Sequence, residues 1–180
     1  MEKWKTLSSK YIWQRPWLTA RCDRVELPDG RVNDEYYVLE YPSWINVIAI
    51  TRDGLFVMVE QYRHGLDEVF TELCAGVVEE GEDPLDAARR ELLEETGYGR
   101  GQWTLNTVLS ANPSTNNNLA YSFIAADVEL IGEQHLDATE DINVRLLTRD
   151  EVLAILMRDE MKQALMAAPL WKYFYQQQTK

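Results

Sequence analysis

Residues 76–98 read GVVEEGEDPLDAARRELLEETGY, and the reading of this stretch decides the fold. Four carboxylates stand at fixed offsets, Glu82, Glu91, Glu94 and Glu95, with Arg90 just ahead of the last three and Gly76 and Gly97 near the ends. Asp83 followed by Pro84 reads as an N-cap and a first helical residue. A short acceptor side chain suits the cap, and a residue without an N–H suits the next position. Residues 85–96 hold no Gly or Pro and are rich in Leu, Ala, Glu and Arg, which predicts a helix. Gly97 is placed to stop it. On a 3.6-residue period Glu91, Glu94 and Glu95 share one face, and Leu85, Ala88 and Leu92 form the neighbouring apolar stripe that docks on a sheet. Carboxylates this close repel one another. Arg89 and Arg90 relieve part of the repulsion, and a hard divalent cation with oxygen ligands relieves more. Spacing alone also fits a solvated acidic helix face.

Working outward, 180 residues with 46% apolar content fit one globular domain with a sizeable core. A net charge of -12 disfavours nucleic acid and anionic membranes as partners, and requires that an anionic substrate meet metal ions or a few local arginines. Cys22 and Cys74 make neither a disulfide framework nor a CxxC pair, so reduced thiols in a cytoplasm are expected. The opening MEKWKTLSSKY has no apolar core of a signal peptide, and no stretch approaches the length of a membrane span. His64 and His135, the two histidines, are too few for a His-rich zinc site.

Strands are expected at residues 11–17, 19–27 and 34–40, with Pro28-Asp29-Gly30 as a hairpin turn between the last two. Further strands are expected at 44–51 and 55–63, split by the Arg52-Asp53-Gly54 turn, and at 68–74, leading towards the helix. Beyond the helix come strands at 103–110 and 119–128, flanking a polar loop, and one at 142–147. Thr148 and Glu151 form a capping box that opens a helix to about Met157. A last helix is expected from about Asp159 to Gln176, kinked or broken at Pro169.

The opening stretch resembles the Nudix box, G-x5-E-x7-R-E-U-x-E-E-x-G-U, where U is aliphatic or bulky and apolar. Gly76, Glu82, Arg90, Glu91, Leu92, Glu94, Glu95, Gly97 and Tyr98 fill it without gap or mismatch. Seven of those positions are single residue types, so a chance match is on the order of 10⁻⁸ per window. The resemblance extends over roughly residues 44–158. It implies an α/β fold, an α/β/α sandwich with a mixed central sheet, preceded by a small N-terminal antiparallel sheet. The expected organisation is a β extension at 1–43, able to dimerise, and a Nudix hydrolase domain at 44–180. The reaction implied is metal-dependent hydrolysis of a nucleoside diphosphate linked to another moiety. Glu91 and Glu95 match the main metal-ligand positions, Glu94 a further one, and the carbonyl of Ala75 another. Arg90 matches the arginine that orients the glutamates, and Glu82 a structural or water-linked position. The implied cofactor is Mg²⁺, with Mn²⁺ as the other candidate; such a cation neutralises the diphosphate and lowers the pKa of bound water. A general base is also needed. The resemblance points to the loop at 135–141, with Glu140 as the choice and Asp141 as runner-up.

Three features point to the ADP-ribose pyrophosphatase branch. Gln61-Tyr62-Arg63 ends a strand as a QYR segment does there, and Arg63 is able to hold a phosphate bidentately. Residues 72–76, ELCAG, resemble that branch's E-L-P-A-G, with Cys74 in place of proline. Pro113 lies fifteen residues past Tyr98, where the branch has a diagnostic proline. The run that follows, Pro113-Ser-Thr-Asn-Asn-Asn118, departs from the branch, because amides replace an acid. Asn118 is therefore a candidate substrate contact, and GDP-mannose or another nucleoside diphosphate sugar stays open beside ADP-ribose. Tyr36 and Trp44 are candidates to stack a base, with sheet packing and dimer contacts as the alternative. Branch membership implies a homodimer, which six tryptophans would suit. A non-catalytic nucleotide sensor is disfavoured, because no box carboxylate is missing and no basic recognition helix follows. A calcium module lacks its loop spacing, and the N-terminal extension with Pro113 disfavours a triphosphatase.

Overall fold

The computed structural model describes residues 1–178, and these divide into two compact units. One unit is Met1–Pro42 with Ser110–Leu119; the other is Ser43–Leu109 with Ala120 onward.

In the first unit β1 (Lys5–Arg15), β2 (Leu18–Glu26) and β3 (Val32–Glu40) form an antiparallel sheet in sequence order. The 28–30 turn closes the hairpin between β2 and β3 as expected, with Gly30 in the left-handed region. β1 begins six residues before the expected Tyr11. Every residue of it is exposed, so no buried face marks its start in the sequence. The polar segment 110–119 joins this unit: Leu39 donates its N–H to the Thr115 carbonyl (2.7 Å) and pairs with Asn116.

The second unit is a sandwich. Its seven-stranded mixed sheet is built from β4 (Trp44–Thr51), β5 (Phe56–Arg63), β6 (Glu68–Val77), β7 (Tyr98–Gly99), β8 (Gln102–Leu109), β9 (Ala120–Leu130) and β10 (Ile142–Leu147). β4 and β9 run parallel while the other neighbours are antiparallel. Alternation along β4 builds both cores. Ile45, Val47 and Ala49 pack with Ala87, Ala88 and Leu92 of α1 (Pro84–Thr96). Ile48 packs on the other face with Val152 and Leu156 of α2 (Arg149–Met157) and with Met166, Leu170 and Phe174 of α3 (Ala164–Gln178).

Two boundaries in this unit differ from expectation by three residues or more. β6 continues three residues past Cys74 to Val77, so Gly76 lies inside a strand. The last helix starts at Ala164 rather than at about Asp159. Asp159 takes a left-handed conformation (φ 55°), and Gln163 caps α3 by accepting the Leu165 N–H (3.2 Å). Pro169 lies inside that helix, which runs on through it to Gln178 rather than breaking there.

Candidate active site

The α1 cap is the one the sequence predicts. Asp83 accepts the Leu85 N–H (2.8 Å), Pro84 opens the helix, and Gly97 ends it at φ 73° with its N–H on the Leu93 carbonyl. This start and stop fix the face on which the carboxylates stand. Gly76 explains why that face comes so near the sheet: a Cβ there would overlap the Glu91 carboxyl group. Only a residue without a side chain lets that carboxylate sit against β6.

Arg90 organises the cluster. Its guanidinium bonds Glu82 at both oxygens (3.0 and 3.0 Å), Glu91 (2.8 Å), Glu94 (3.1 Å) and the Val77 carbonyl (3.0 Å). The bonds to Glu82 first, then those to Glu91 and Glu94, hold its pKa above the ordinary value. Reciprocally, Arg90 draws Glu82 below the usual carboxylate range. Glu91 is raised, because burial outweighs its bond to Arg90. Glu95 lies deepest, 4% exposed, and accepts the Ala75 N–H at 3.2 Å. Burial pushes its pKa up to about 7, against the lowering effect of the Cys74 thiol and the Ala75 N–H. The Cys74 thiol is itself pushed up by burial.

The donors suit a hard divalent cation. They are carboxylates and a backbone carbonyl, all oxygen, and the burial cost on Glu91 and Glu95 is of the kind a bound cation offsets. Among the described residues no three acidic, His or Cys side chains already converge on a single point. Arg90 holds Glu91 and Glu94 by its guanidinium, while Glu95 accepts the Ala75 N–H. The structure places Ala75, Arg90, Glu91, Glu94 and Glu95 beside the C-terminal end of β6.

Glu140 is exposed in the loop before β10 and accepts the Asp137 N–H (2.9 Å). Its charge is felt by Glu95, where it contributes to the raised pKa. Asp141 is exposed beside it.

A cavity of about 430 Å³ opens alongside Ala75, Gly76 and Val77. Trp44 and Arg63 line it, as do Asn46, Phe70, Glu72, Lys162 and Leu165. Arg63 is no idle surface residue. It bonds Glu72 through Nε (2.8 Å) and Nη2 (2.6 Å), and Glu72 is 3% exposed. Sequence reasoning gave Glu72 and Lys162 no role. An acid in the apolar run of β6 was the available signal for Glu72; for Lys162 there was none.

The remaining candidates belong to the first unit. The Tyr36 hydroxyl donates to the Ser114 carbonyl (2.5 Å), and its ring meets Trp4 edge-on at 5.9 Å. Asn118 donates to the Pro42 carbonyl (2.8 Å), and Asn117 accepts the Tyr41 N–H (3.1 Å). Pro113 stands in the same segment, 110–119. These amides are engaged within their own unit.

Residues 42–168 match the NUDIX domain, and residues 4–39 match the nucleoside diphosphate sugar hydrolase N-terminal domain. The chain is 30% identical over 161 residues to an ADP-ribose pyrophosphatase of Bacillus subtilis (strain 168), covering 89% of this chain and 86% of that protein. It is 34% identical over 150 residues to a methanol dehydrogenase activator of Bacillus methanolicus, covering 83% and 80%. A solved structure described as an ADP compounds hydrolase matches with a TM-score of 0.86 over 99% of this chain and 96% of that one. At 19% identity that likeness speaks for the fold.

Proposed function

The chain belongs to the Nudix hydrolase family, and from that premise we propose that it hydrolyses the diphosphate of ADP-ribose or a related nucleoside diphosphate sugar, releasing a nucleoside monophosphate and a sugar phosphate. One observation carries the reading: the Arg90-clamped carboxylates and buried Glu95 stand beside the last residues of β6, which also line the Arg63 cavity.

Nudix hydrolases generally use divalent metals, and Mg²⁺ or Mn²⁺ is the ion proposed here. Glu91, Glu95, Glu94 and the Ala75 carbonyl would hold it. When bound, it would neutralise phosphate charge and acidify water. The chain's own residues do the rest. Arg90 keeps Glu91 and Glu94 in place. Glu140 takes the proton as a water oxygen bonds to one phosphorus, and the bond from that phosphorus to the bridging oxygen breaks. Asp141 is the runner-up for that proton. Arg63, steadied by Glu72, presents N–H donors to a phosphate, and Trp44 offers an aromatic wall to the base. For Tyr36, Pro113 and Asn118, the role of substrate contact rests on the family resemblance alone.

GDP-mannose or another nucleotide sugar is the second reading. It is favoured by Asn116, Asn117 and Asn118 standing where the ADP-ribose branch has an acid. The extension at 1–43 is proposed to make a homodimer. In support, Trp4, Tyr11, Ile12, Trp13 and Trp17 are all exposed on or beside β1, an edge strand. No helix among the described residues is long and apolar enough to cross a membrane. Free Cys22 and Cys74 support a reducing cytoplasm as the setting.

The test is product release from ADP-ribose, GDP-mannose, UDP-glucose, NADH, diadenosine polyphosphates and nucleoside triphosphates, with Mg²⁺, with Mn²⁺ and with EDTA. Metal-dependent formation of AMP or GMP from one nucleotide sugar is expected. No turnover of any of them, together with a ligand-raised melting temperature, would replace the enzyme reading with a sensor.

A further inference from the structure

The cavity beside Gly76 holds three charged side chains: Arg63, Glu72 and Lys162. Two of them cancel. Glu72 is buried and takes the Nε and Nη2 contacts of Arg63, at 2.8 and 2.6 Å, so the Arg63 charge is offset by a carboxylate even though its other N–H donors still face the cavity. What remains is the ammonium of Lys162, exposed and without an ion-pair partner among the described residues. Glu160 feels its charge, but Glu160 is bound to Arg158 at 2.7 and 3.0 Å.

Lys162 is also held in position. Met161, one residue before it, is buried in the core between the sheet and α3. Gln163, one residue after it, caps α3 through the Leu165 N–H. α3 is fastened in turn to the sheet. Pro169 has no N–H to give the Leu165 carbonyl four residues back. Asn46 supplies one instead: its Nδ2 donates to that carbonyl at 2.9 Å. Asn46 stands on β4 opposite Ala75 of β6. The loop that carries Lys162 is therefore registered against the strand that carries the proposed metal-ligand carbonyl. In a chain of net charge -12, a cation fixed this way at the mouth of a cavity is positioned for an anion.

We propose that Lys162 is a specificity-determining residue that contacts a phosphate oxygen of the nucleoside diphosphate in this cavity. The inference rests on the nucleotide-sugar reading and deepens it. It assigns phosphate recognition to the loop before α3, at a residue outside the box.

The test is calorimetric binding with Mg²⁺ of two ligands: ADP-ribose whose bridging oxygen is replaced by a methylene group, which cannot be hydrolysed, and adenosine, which has no phosphate. Wild type, Lys162→Met and Lys162→Arg are compared. Lys162→Met should weaken the diphosphate analogue about tenfold, the scale of a charge-assisted hydrogen bond at a partly wet site. Adenosine should change less than about twofold, and Lys162→Arg should restore most of the loss. With substrate, the same change should raise KM and leave kcat nearly unaltered. Equal affinity of wild type and Lys162→Met for the analogue overturns this proposal alone and leaves the nucleotide-sugar reading standing. An equal loss for adenosine overturns it too, because the effect is then packing rather than charge. A wild type that binds neither ligand overturns both.

Discussion

Helices α1 and α3 pack on opposite faces of one sheet and are held there by opposite means. α1 is fixed by signals lying within its own stretch: Asp83 and Pro84 at the start, Gly97 at the end, Gly76 giving room to Glu91, and Arg90 tying Glu82, Glu91 and Glu94. α3 is fixed from far away. The Asn46 amide reaches the Leu165 carbonyl across 119 residues of sequence, and the Asn106 amide reaches the Pro169 carbonyl (3.0 Å) across 63. The first helix carries charge that needs a counter-ion; the second carries a backbone defect that needs a donor. Chemistry concentrated in α1 should therefore respond to substitution through turnover, and α3 through stability.

The largest effect should come from Glu95→Gln. It keeps the size of the side chain and removes the charge, so kcat should fall about 10³-fold or more in steady-state assays, with the thermal transition preserved. Turnover near wild type, or a collapsed transition, would remove Glu95 from the metal-ligand set and blur the contrast between the helices.

The same residue gives a second, smaller effect without any assay of activity. In EDTA its carboxyl titrates near 7 in the fold, against 4.5 when unperturbed, because burial disfavours the charge. Folding thus favours the protonated form. The resulting stabilisation is present in full below pH about 4.5, fades as pH rises, and is gone above about 7. The displacement corresponds to roughly 3 kcal/mol. Denaturant melts in EDTA at pH 5 and pH 8 should show wild type losing more stability over that range than Glu95→Gln does, and Mg²⁺ at pH 8 should return part of it. Parallel pH curves for the two proteins would mean that Glu95 is better solvated than its burial implies.

How far the sequence could be read follows the same division. Strands β4 and β10, the capping box at Thr148 and the start and stop of α1 were legible, because each depends on residues close together in the chain; Arg89, expected to ease the box carboxylates with Arg90, instead pairs with Asp86 at 3.2 Å. The box residues were picked out by their resemblance to the Nudix box, a pattern contained in 23 consecutive residues. The start of β1 was not legible, since a strand exposed along its whole length leaves no alternation to read. β7, two residues long, left none either. The start of α3 was missed because glutamine is an unusual cap and the left-handed Asp159 has no signature of its own. Glu72 and Lys162 are separated by ninety positions and meet one cavity only after β6 and the 158–163 loop are folded together. No window of sequence contains both.

The α3 side of the comparison is tested first by Asn46→Ala. It removes the donor to the Leu165 carbonyl inside a buried setting, and should cost about 1–3 kcal/mol by chemical denaturation, with the cleavage step itself little changed. A loss confined to kcat would instead give Asn46 a part in the chemistry.

The smallest and most discriminating effect lies in Pro169→Ala. Alanine at this position restores an N–H that can reach the Leu165 carbonyl within the helix. If the asparagine is there because of the proline, the two substitutions are coupled. Asn46→Ala should then cost less in a Pro169→Ala background than alone, because the carbonyl is no longer left without a donor. A double-mutant cycle should return a coupling of about 1 kcal/mol. The residual cost of Asn46→Ala in that background would measure the amide's other contribution, its packing between β4 and α3. Strict additivity would mean that the Leu165 carbonyl finds another partner when Asn46 is gone. α3 would then be held by its apolar face, Met166, Leu170 and Phe174, as α1 is held by Ala87, Ala88 and Leu92.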